Sequence, residues 1–530
     1  MAKWSWNLAD VFEAVVDVVG DRQAIVSRCR CLTYRQLDER ANRLAHVLVE
    51  RGVGRDDHVG VALRNDSAYL EVMLAAFKVG AVPVNVNVRY TDEELRYLFD
   101  DAGLVGLVHD VDVAPAVARA SAGLPRLAWT LTAGAELEDV MATAPAGRPA
   151  GPPRRDDAHY VLYTGGTTGR PKGVVWRHDD VLFAALGGGN LGGEPARDLA
   201  ELTANAVASG GRVRCLPASP LTHGTAHWLA LATLFDGGTV VLVADAGMDA
   251  ARIWDTVEAH QVTHLVIVGD AFARPLADAL CAEPDRWDLH HLLVVMSGGA
   301  VWSASVRRQL LEQLPGAVMV DGYGTSETGG HGRAAIWPGQ AQRDAVVPRF
   351  HVDDDTAVLD EHLRPVAPGS GHVGRLARRG RVPLGYHNDP EGTAQAFPTV
   401  DGVRWSVPGD LALLEADGRV TLLGRGASSI NSGGEKIFPE EVEAVLKAHP
   451  AVFDAIVVGV PDRRWGRCVA AVVQVRDGAT VDDQELGNHC RDHLAGFKAP
   501  RRIARVDRLV RRASGKPDLA WARRTLTDLT

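Results

Sequence analysis

The chain has 530 residues and a mass of 56.7 kDa, too much for one hydrophobic core, so at least two domains are predicted. Its 46% apolar and 23% charged content is ordinary for a soluble globular protein, and a net charge of -10 argues against nucleic acid as the main partner. No apolar run reaches the ~18 residues of a membrane span, and the N-terminus lacks the apolar core of a signal peptide. Six cysteines (Cys29, Cys31, Cys215, Cys281, Cys468, Cys490) at irregular spacings, with no C-x-x-C, predict the reduced thiols of a cytoplasmic protein without a zinc site or disulfide frame.

In chain order, Asn7 is placed to cap a helix carrying Leu8, Val11, Phe12, Val15 and Val16 at helical spacing. A hairpin is predicted through Ala24 to Thr33. Tyr34 then opens a second amphipathic helix with Leu37, Ala41, Leu44 and Leu48 on one face and Gly52 as its stop. Short apolar runs next alternate with helical patterns: a strand over 58–63, a helix over 67–79, a strand over 81–88 and a helix over 91–98. The alternation returns with strands over 239–244, 263–268, 292–296 and 317–320. Such repetition predicts an α/β fold of parallel sheets covered by helices. The Pro/Ala/Gly-rich stretch 142–153 reads as the divide between two layered subdomains. Beyond Arg425 a smaller α/β unit is predicted, with a helix starting at Pro439-Glu440-Glu441, strands over 455–460 and 469–475, a helix over 481–494 and a strand over 503–506. Between Arg491 and Arg524 eleven Lys or Arg stand against three Asp, a solvated face or a landing surface for a polyphosphate.

The chain is organised around Tyr163-Thr164-Gly165-Gly166-Thr167-Thr168-Gly169-Arg170-Pro171-Lys172-Gly173, which follows the strand-like His159-Tyr160-Val161-Leu162 and leaves a sheet edge as a loop. Glycines let successive N–H groups turn toward one anion, threonines add donors and Lys172 adds a compact positive charge. It is not a Walker A loop, because Gly173 follows Lys172. Asp321-Gly322-Tyr323-Gly324-Thr325-Ser326-Glu327-Thr328-Gly329 offers an aromatic face, hydroxyls and a carboxylate of the kind Mg²⁺ takes together with phosphate oxygens. Ser297-Gly298-Gly299-Ala300 ends a strand where an open α/β sheet holds its ligand crevice. None of the 19 histidines forms H-E-x-x-H, so zinc hydrolysis has no support.

These runs resemble the signatures of the adenylate-forming superfamily, which comprises acyl-CoA synthetases, peptide-synthetase adenylation domains and beetle luciferases. The resemblance extends from Leu32-Thr33-Tyr34 to Lys516. It implies a large N-terminal domain over 1–424, a hinge over 425–432 pivoting at Ala427, and a small mobile domain over 433–530. It implies an ATP site made by Thr164, Gly165, Gly166, Thr167, Thr168, Gly169 and Lys172, with Gly299 and Ala300 beside the adenine. Tyr323 would lie against the adenine, Asp321 near its amino group and Ser326 on the α-phosphate, with Gly322, Gly324 and Thr325 in the same ATP/AMP site. Glu327 and Thr164 would surround Mg²⁺, while Asp410 and Arg425 would hold the ribose. The usual Thr before Gly409-Asp410 is Pro408, and the usual Asp or Lys at the pivot is Ala427. Lys516, in Ala513-Ser514-Gly515-Lys516-Pro517, matches the adenylation lysine. His223, in Pro220-Leu221-Thr222-His223-Gly224, matches the gate between acyl pocket and thiol tunnel. The acyl pocket would comprise His223, Gly224, Val268, Gly269, Asp270, Gly298 and Gly299. Gly433, Gly434 and Lys436 match the segment that contacts the CoA pantetheine.

The reaction implied is a two-step ligation: a carboxylate and Mg·ATP give acyl-AMP and pyrophosphate, and CoA then displaces AMP. The segments Val174 to Asp179, Gly269 to Leu276 and Gly426 to Asn431 look most like actinobacterial steroid side-chain acyl-CoA synthetases, which favours a bulky steroid or other polycyclic terpenoid acid. Gly187-Gly188-Gly189 reads either as room for a wide ligand or as a mobile loop. A fatty acid-CoA ligase, an acyl-AMP ligase loading a carrier protein and a non-catalytic nucleotide-binding scaffold are the rival readings, and a homodimer is the oligomer to consider.

Overall fold

Helix Leu8–Val19 begins where the Asn7 side chain accepts the Ala9 N–H, and helix Tyr34–Glu50 begins with a reciprocal capping box between Thr33 and Gln36. Both bury one face against helix Ser67–Val79 and helix Gly224–Phe235. The Tyr34 hydroxyl, fully buried, sits 2.9 and 2.7 Å from the carbonyls of Leu234 and Gly238 and ties the N-terminus to the chain two hundred residues later. The computed structural model describes residues 6–27, 30–151, 153–165, 170–243, 248–300, 302–339, 349–425, 430–432, 435–462, 466–512 and 516–528.

Among these residues the larger sheet has 13 strands. Gln23–Val26, Thr239–Val241, Arg214–Pro217, His264–Ile267, Val294–Gly298 and Val318–Thr325 run side by side and parallel. Their β-branched and aliphatic runs suit burial on both faces. From Val318–Thr325 onward the sheet turns antiparallel, through Gly329–Ile336 to Arg349–Val352 and Val420–Arg425. The second sheet has seven strands, five of them parallel and ending in His159–Gly165, which pairs antiparallel with Pro171–Arg177. The mixed α/β architecture is therefore less uniformly parallel than the strand-helix alternation predicts.

Two further expectations are corrected. The stretch 142–153 does not divide the sheets: His159–Gly165 lies beyond it yet pairs with Val82–Asn85, and Gln23–Val26 lies before it yet pairs with Thr239–Val241. Strand His159–Gly165 is interior rather than at a sheet edge. Gly188 and Gly189, both buried at left-handed φ, press on Pro195 and Leu202, a packing role away from the cavity wall.

The C-terminal unit is a three-stranded sheet, Val452–Asp462, Gly466–Val475 and Arg502–Val506, between helices. Side-chain alternation splits its core. Val457 joins Val442, Val445 and Leu486 on one face, while Ile456 and Val458 join Ala522 and Leu526 of helix Leu519–Asp528 on the other. That last helix is absent from the sequence reading, where its arginines stand out more than its one apolar stripe.

Candidate active site

One cavity of about 2690 Å³ lies between the C-terminal ends of the parallel strands and the C-terminal unit. Thr164, Lys172, His223, Gly224, Val268, Asp270, Gly298 to Ala300, Asp321 to Glu327, Pro408, Asp410 and Lys516 all line it. The fold thus gathers into one space most of the residues singled out from seven separated stretches of the chain. Gly269 does not line it: at φ 55° it starts helix Gly269–Ala282, and its N–H donates to Ser297 Oγ at 2.9 Å.

On one side the polar groups hold one another. The hairpin sets Thr164 opposite Lys172, whose ammonium is 2.7 Å from Asp389 and 5.0 Å over the Tyr386 ring. That ion pair holds the Asp389 carboxyl below its usual range. The Tyr386 hydroxyl donates to Glu327 Oε1 at 2.9 Å, and Ser406 Oγ donates to the Glu327 carbonyl at 2.6 Å. The Trp176 indole donates to the Ser326 carbonyl at 3.0 Å. The Tyr323 hydroxyl donates to Asp410 Oδ2 at 2.9 Å, and its ring packs near His331 and Phe350. Asp321 to Thr325 form the end of strand Val318–Thr325, and Ser326 to Thr328 make the turn into Gly329–Ile336. Gly324 lies so close to the Gly329 carbonyl that no side chain fits there.

Two carboxylates have buried cationic partners that the sequence reading does not name. Asp321 is buried with Arg307 Nη1 at 2.9 Å, and burial pushes its carboxyl up to about 7 against the pull of that guanidinium. Asp270 faces the C-terminal unit as much as the acyl side. Its Oδ1 accepts the Ser303 N–H at 2.8 Å, and its Oδ2 lies 3.7 Å from the buried Lys447 ammonium. Lys447 is also 3.4 Å from Asp454, which takes Arg511 at 2.7 Å. Burial opposes the Lys447 charge, but Asp454 and Asp270 together hold it above its ordinary value.

On the other side the wall is apolar, with Trp228, Leu229, Met248, Ile253, Phe272 and Pro275. His223 precedes helix Gly224–Phe235, and its Nε2 is buried without a hydrogen-bond partner. Burial, with the Lys516 and Arg89 cations nearby, pushes its imidazolium down to about 4, so at neutral pH it is an uncharged imidazole. The loop bearing His223 is clamped by two buried asparagines. Asn65 accepts the Leu221 N–H at 2.7 Å and donates to the Ser219 carbonyl at 3.0 Å. Asn85 donates to the Thr222 and Tyr163 carbonyls, each at 2.8 Å. Sequence reasoning missed both, along with Tyr386 and Asp389. Only Asp389-Pro390 carried a signal, as a helix start, since Asp389 caps helix Pro390–Ala396.

Asp410 opens a strand whose register sets it opposite Arg425. Gly166, Thr167, Thr168, Gly169, Ala427, Gly433 and Gly434 lie outside the described residues. Gly165 and Lys436 are described as backbone only, in strands His159–Gly165 and Glu435–Ile437. Among the described residues no group of three or more His, Cys, Asp or Glu could hold a metal, and no helix is long and apolar enough to cross a membrane.

The sequence models of the AMP-binding enzymes and of their C-terminal domain match residues 12–387 and 441–516. The chain is 44% identical, over 98% of its length and 96% of the relative's, to a medium/long-chain-fatty-acid–CoA/3-oxocholest-4-en-26-oate–CoA ligase of Mycolicibacterium smegmatis. It is 42% identical, over 98% and 95%, to a 3-oxocholest-4-en-26-oate–CoA ligase of Rhodococcus rhodochrous. Its fold is similar to the crystal structure of ATP-bound MatB from Rhodopseudomonas palustris, with a TM-score of 0.81, 27% identity and coverage of 98% and 99%.

Proposed function

The chain belongs to the AMP-binding enzymes and is an ATP-dependent, AMP-forming acyl-CoA ligase; from that premise we propose how its cavity divides the work and which acid it takes. The observation that carries the proposal is that Lys516 and His223, nearly three hundred residues apart, line the same cavity as Lys172, Glu327 and Asp410. The nucleotide occupies the side of Tyr323 and Asp410, and the acid occupies the apolar side beyond His223.

In the first step the acid's carboxylate attacks the α-phosphorus of ATP, the bond to the bridging oxygen breaks, and pyrophosphate leaves. Negative charge builds on the α-phosphate and bridging oxygens. Lys516 neutralises it from the C-terminal unit, and Lys172 exchanges Asp389 for phosphate oxygens. The uncharged His223 lines the carboxylate's path without trapping it in an ion pair. The donor set fits Mg²⁺: Glu327 would supply one carboxylate and Thr164 one hydroxyl, the few protein oxygens this ion takes beside phosphate and water. When bound, the ion offsets phosphate charge. In the second step CoA sulfur attacks the acyl carbonyl and AMP leaves. The unit over 433–530 turns about 425–432 for this step, which separates Lys447 from Asp270 and brings the Gly433-Gly434 segment in.

The acid proposed is bulky and hydrophobic, a steroid or other polycyclic terpenoid acid, in keeping with the steroid acid that both ligases above are named for, the first being named for medium- and long-chain fatty acids too, and with the aromatic and aliphatic wall. The test is acid-dependent pyrophosphate release across straight-chain, aryl, steroid and diterpenoid acids, followed by thioester detection with CoA. Rates confined to polycyclic acids support the proposal. Rates on straight chains alone overturn the substrate class and leave the ligase.

A further inference from the structure

Behind the apolar wall runs a buried hydrogen-bond chain with a single direction. The Leu221 carbonyl only accepts, so His227 Nδ1, 3.1 Å away, carries the proton. His227 is buried, and burial pushes its imidazolium down to about 4, which leaves Nε2 an acceptor at neutral pH. The Tyr160 hydroxyl meets that Nε2 and therefore donates to it. Its oxygen accepts in turn from the Trp228 indole N–H, which can only donate, at 2.8 Å. Tyr160 comes from the interior strand His159–Gly165, whereas His227 and Trp228 lie in the first turns of the helix that follows His223. Phe77 packs beside the Tyr160 ring and Tyr69 beside the His227 ring, both in the close-packed interior.

We propose that Tyr160 and His227 are positioning residues that hold the Trp228 ring as a fixed wall of the acyl compartment, and that this wall selects rigid, flat acid bodies over flexible ones. The inference rests on the reading that the compartment beside His223 takes the acid. Trp228 lines the cavity while its N–H is committed to the fully buried Tyr160, so the face it offers the acid is apolar and aromatic. Turning the ring would strand an indole N–H and a phenolic oxygen in the interior, which makes the wall stiff. Leu229 and Met248, on the same wall, have no such tether and adapt to what binds.

The experiment compares wild type, Tyr160→Phe, Trp228→Phe and the double variant, using a polycyclic acid and a straight-chain acid of equal carbon number, with KM and kcat for each acid and KM for ATP. In Tyr160→Phe the KM for the better acid rises about tenfold, kcat and the ATP KM stay within about twofold, and discrimination between the acids falls. The double variant is no worse than the worse single one, because both break one chain. The proposal is overturned if a folded Tyr160→Phe keeps wild-type discrimination, if the single effects multiply, or if ATP and both acids suffer equally, as a merely structural role requires. Should Tyr160→Phe fail to fold, Trp228→Phe decides, since it leaves the Tyr160–His227 pair intact, and unchanged discrimination there overturns the proposal. A wild-type enzyme that activates neither acid defeats the underlying reading instead, and does so before any variant is made.

Discussion

In the nucleotide half of the cavity, polar side chains point inward and hold one another, Tyr323 to Asp410, Tyr386 to Glu327 and Lys172 to Asp389. On the proposed acyl side, His223 apart, several polar groups are spent within the protein: the Trp228 N–H is tied to Tyr160, and Asn65 and Asn85 spend their amides on loop carbonyls. The first half has to present particular atoms to phosphates and ribose, so few residue types serve there. The second presents shape, and its polar groups act behind the surface to keep that shape. On the proposed division, specificity for the nucleotide is local chemistry, while specificity for the acid is long-range packing.

The sharpest way to separate the halves is Lys516→Ala. Acid-dependent pyrophosphate release should fall by about 10²–10³, the size of losing one charge-stabilising donor. Thioester formation from synthetic acyl-adenylate and CoA should persist, which a quenched-flow assay with each starting material checks. Asp410→Asn is expected to raise the ATP KM by about tenfold, the range for a hydrogen bond to a charged group, while the acid KM stays put. Equal rises in both would break the division drawn here. The mildest effect is on acid stability. Burial holds His58, His223 and His227 down to about 4, and His178 and His331 to about 3, against an ordinary 6.5. Between those values the unfolded chain binds more protons than the folded one, so stability is full above about pH 6.5 and declines toward pH 4. Asp321, raised by burial, works in the opposite sense over its own range below about 7. The urea midpoint should drop from pH 7 to pH 5, and His223→Gln should flatten that drop slightly.

Much of the cavity lining was legible because its groups come in contiguous runs. The Thr164 to Lys172 stretch, the Asp321 to Glu327 stretch and Asp410 each bring several ligand atoms within a few residues, and all three meet at the cavity. Helix starts were equally readable, since Asn7 and Thr33 cap through bonds to residues two or three positions on. What escaped depends on distance along the chain. Asn65 reaches Ser219 and Tyr160 reaches Trp228, contacts that no spacing announces. The same reason explains the misplaced divide at 142–153: strand order is set by pairing partners, and a turn-rich stretch shows where chain leaves a sheet without showing to which sheet it returns. Asp270 was assigned to the acyl pocket from its motif, but its place against Lys447 depends on how the C-terminal unit docks.

The most direct test of the central claim is a single turnover with enzyme in excess over acid, ATP present and CoA withheld, followed by CoA addition, with products identified by mass spectrometry. The account predicts acyl-adenylate and pyrophosphate in equal amounts before CoA, then thioester and AMP after it. Release of ADP and phosphate, or thioester without a prior adenylate, would contradict it.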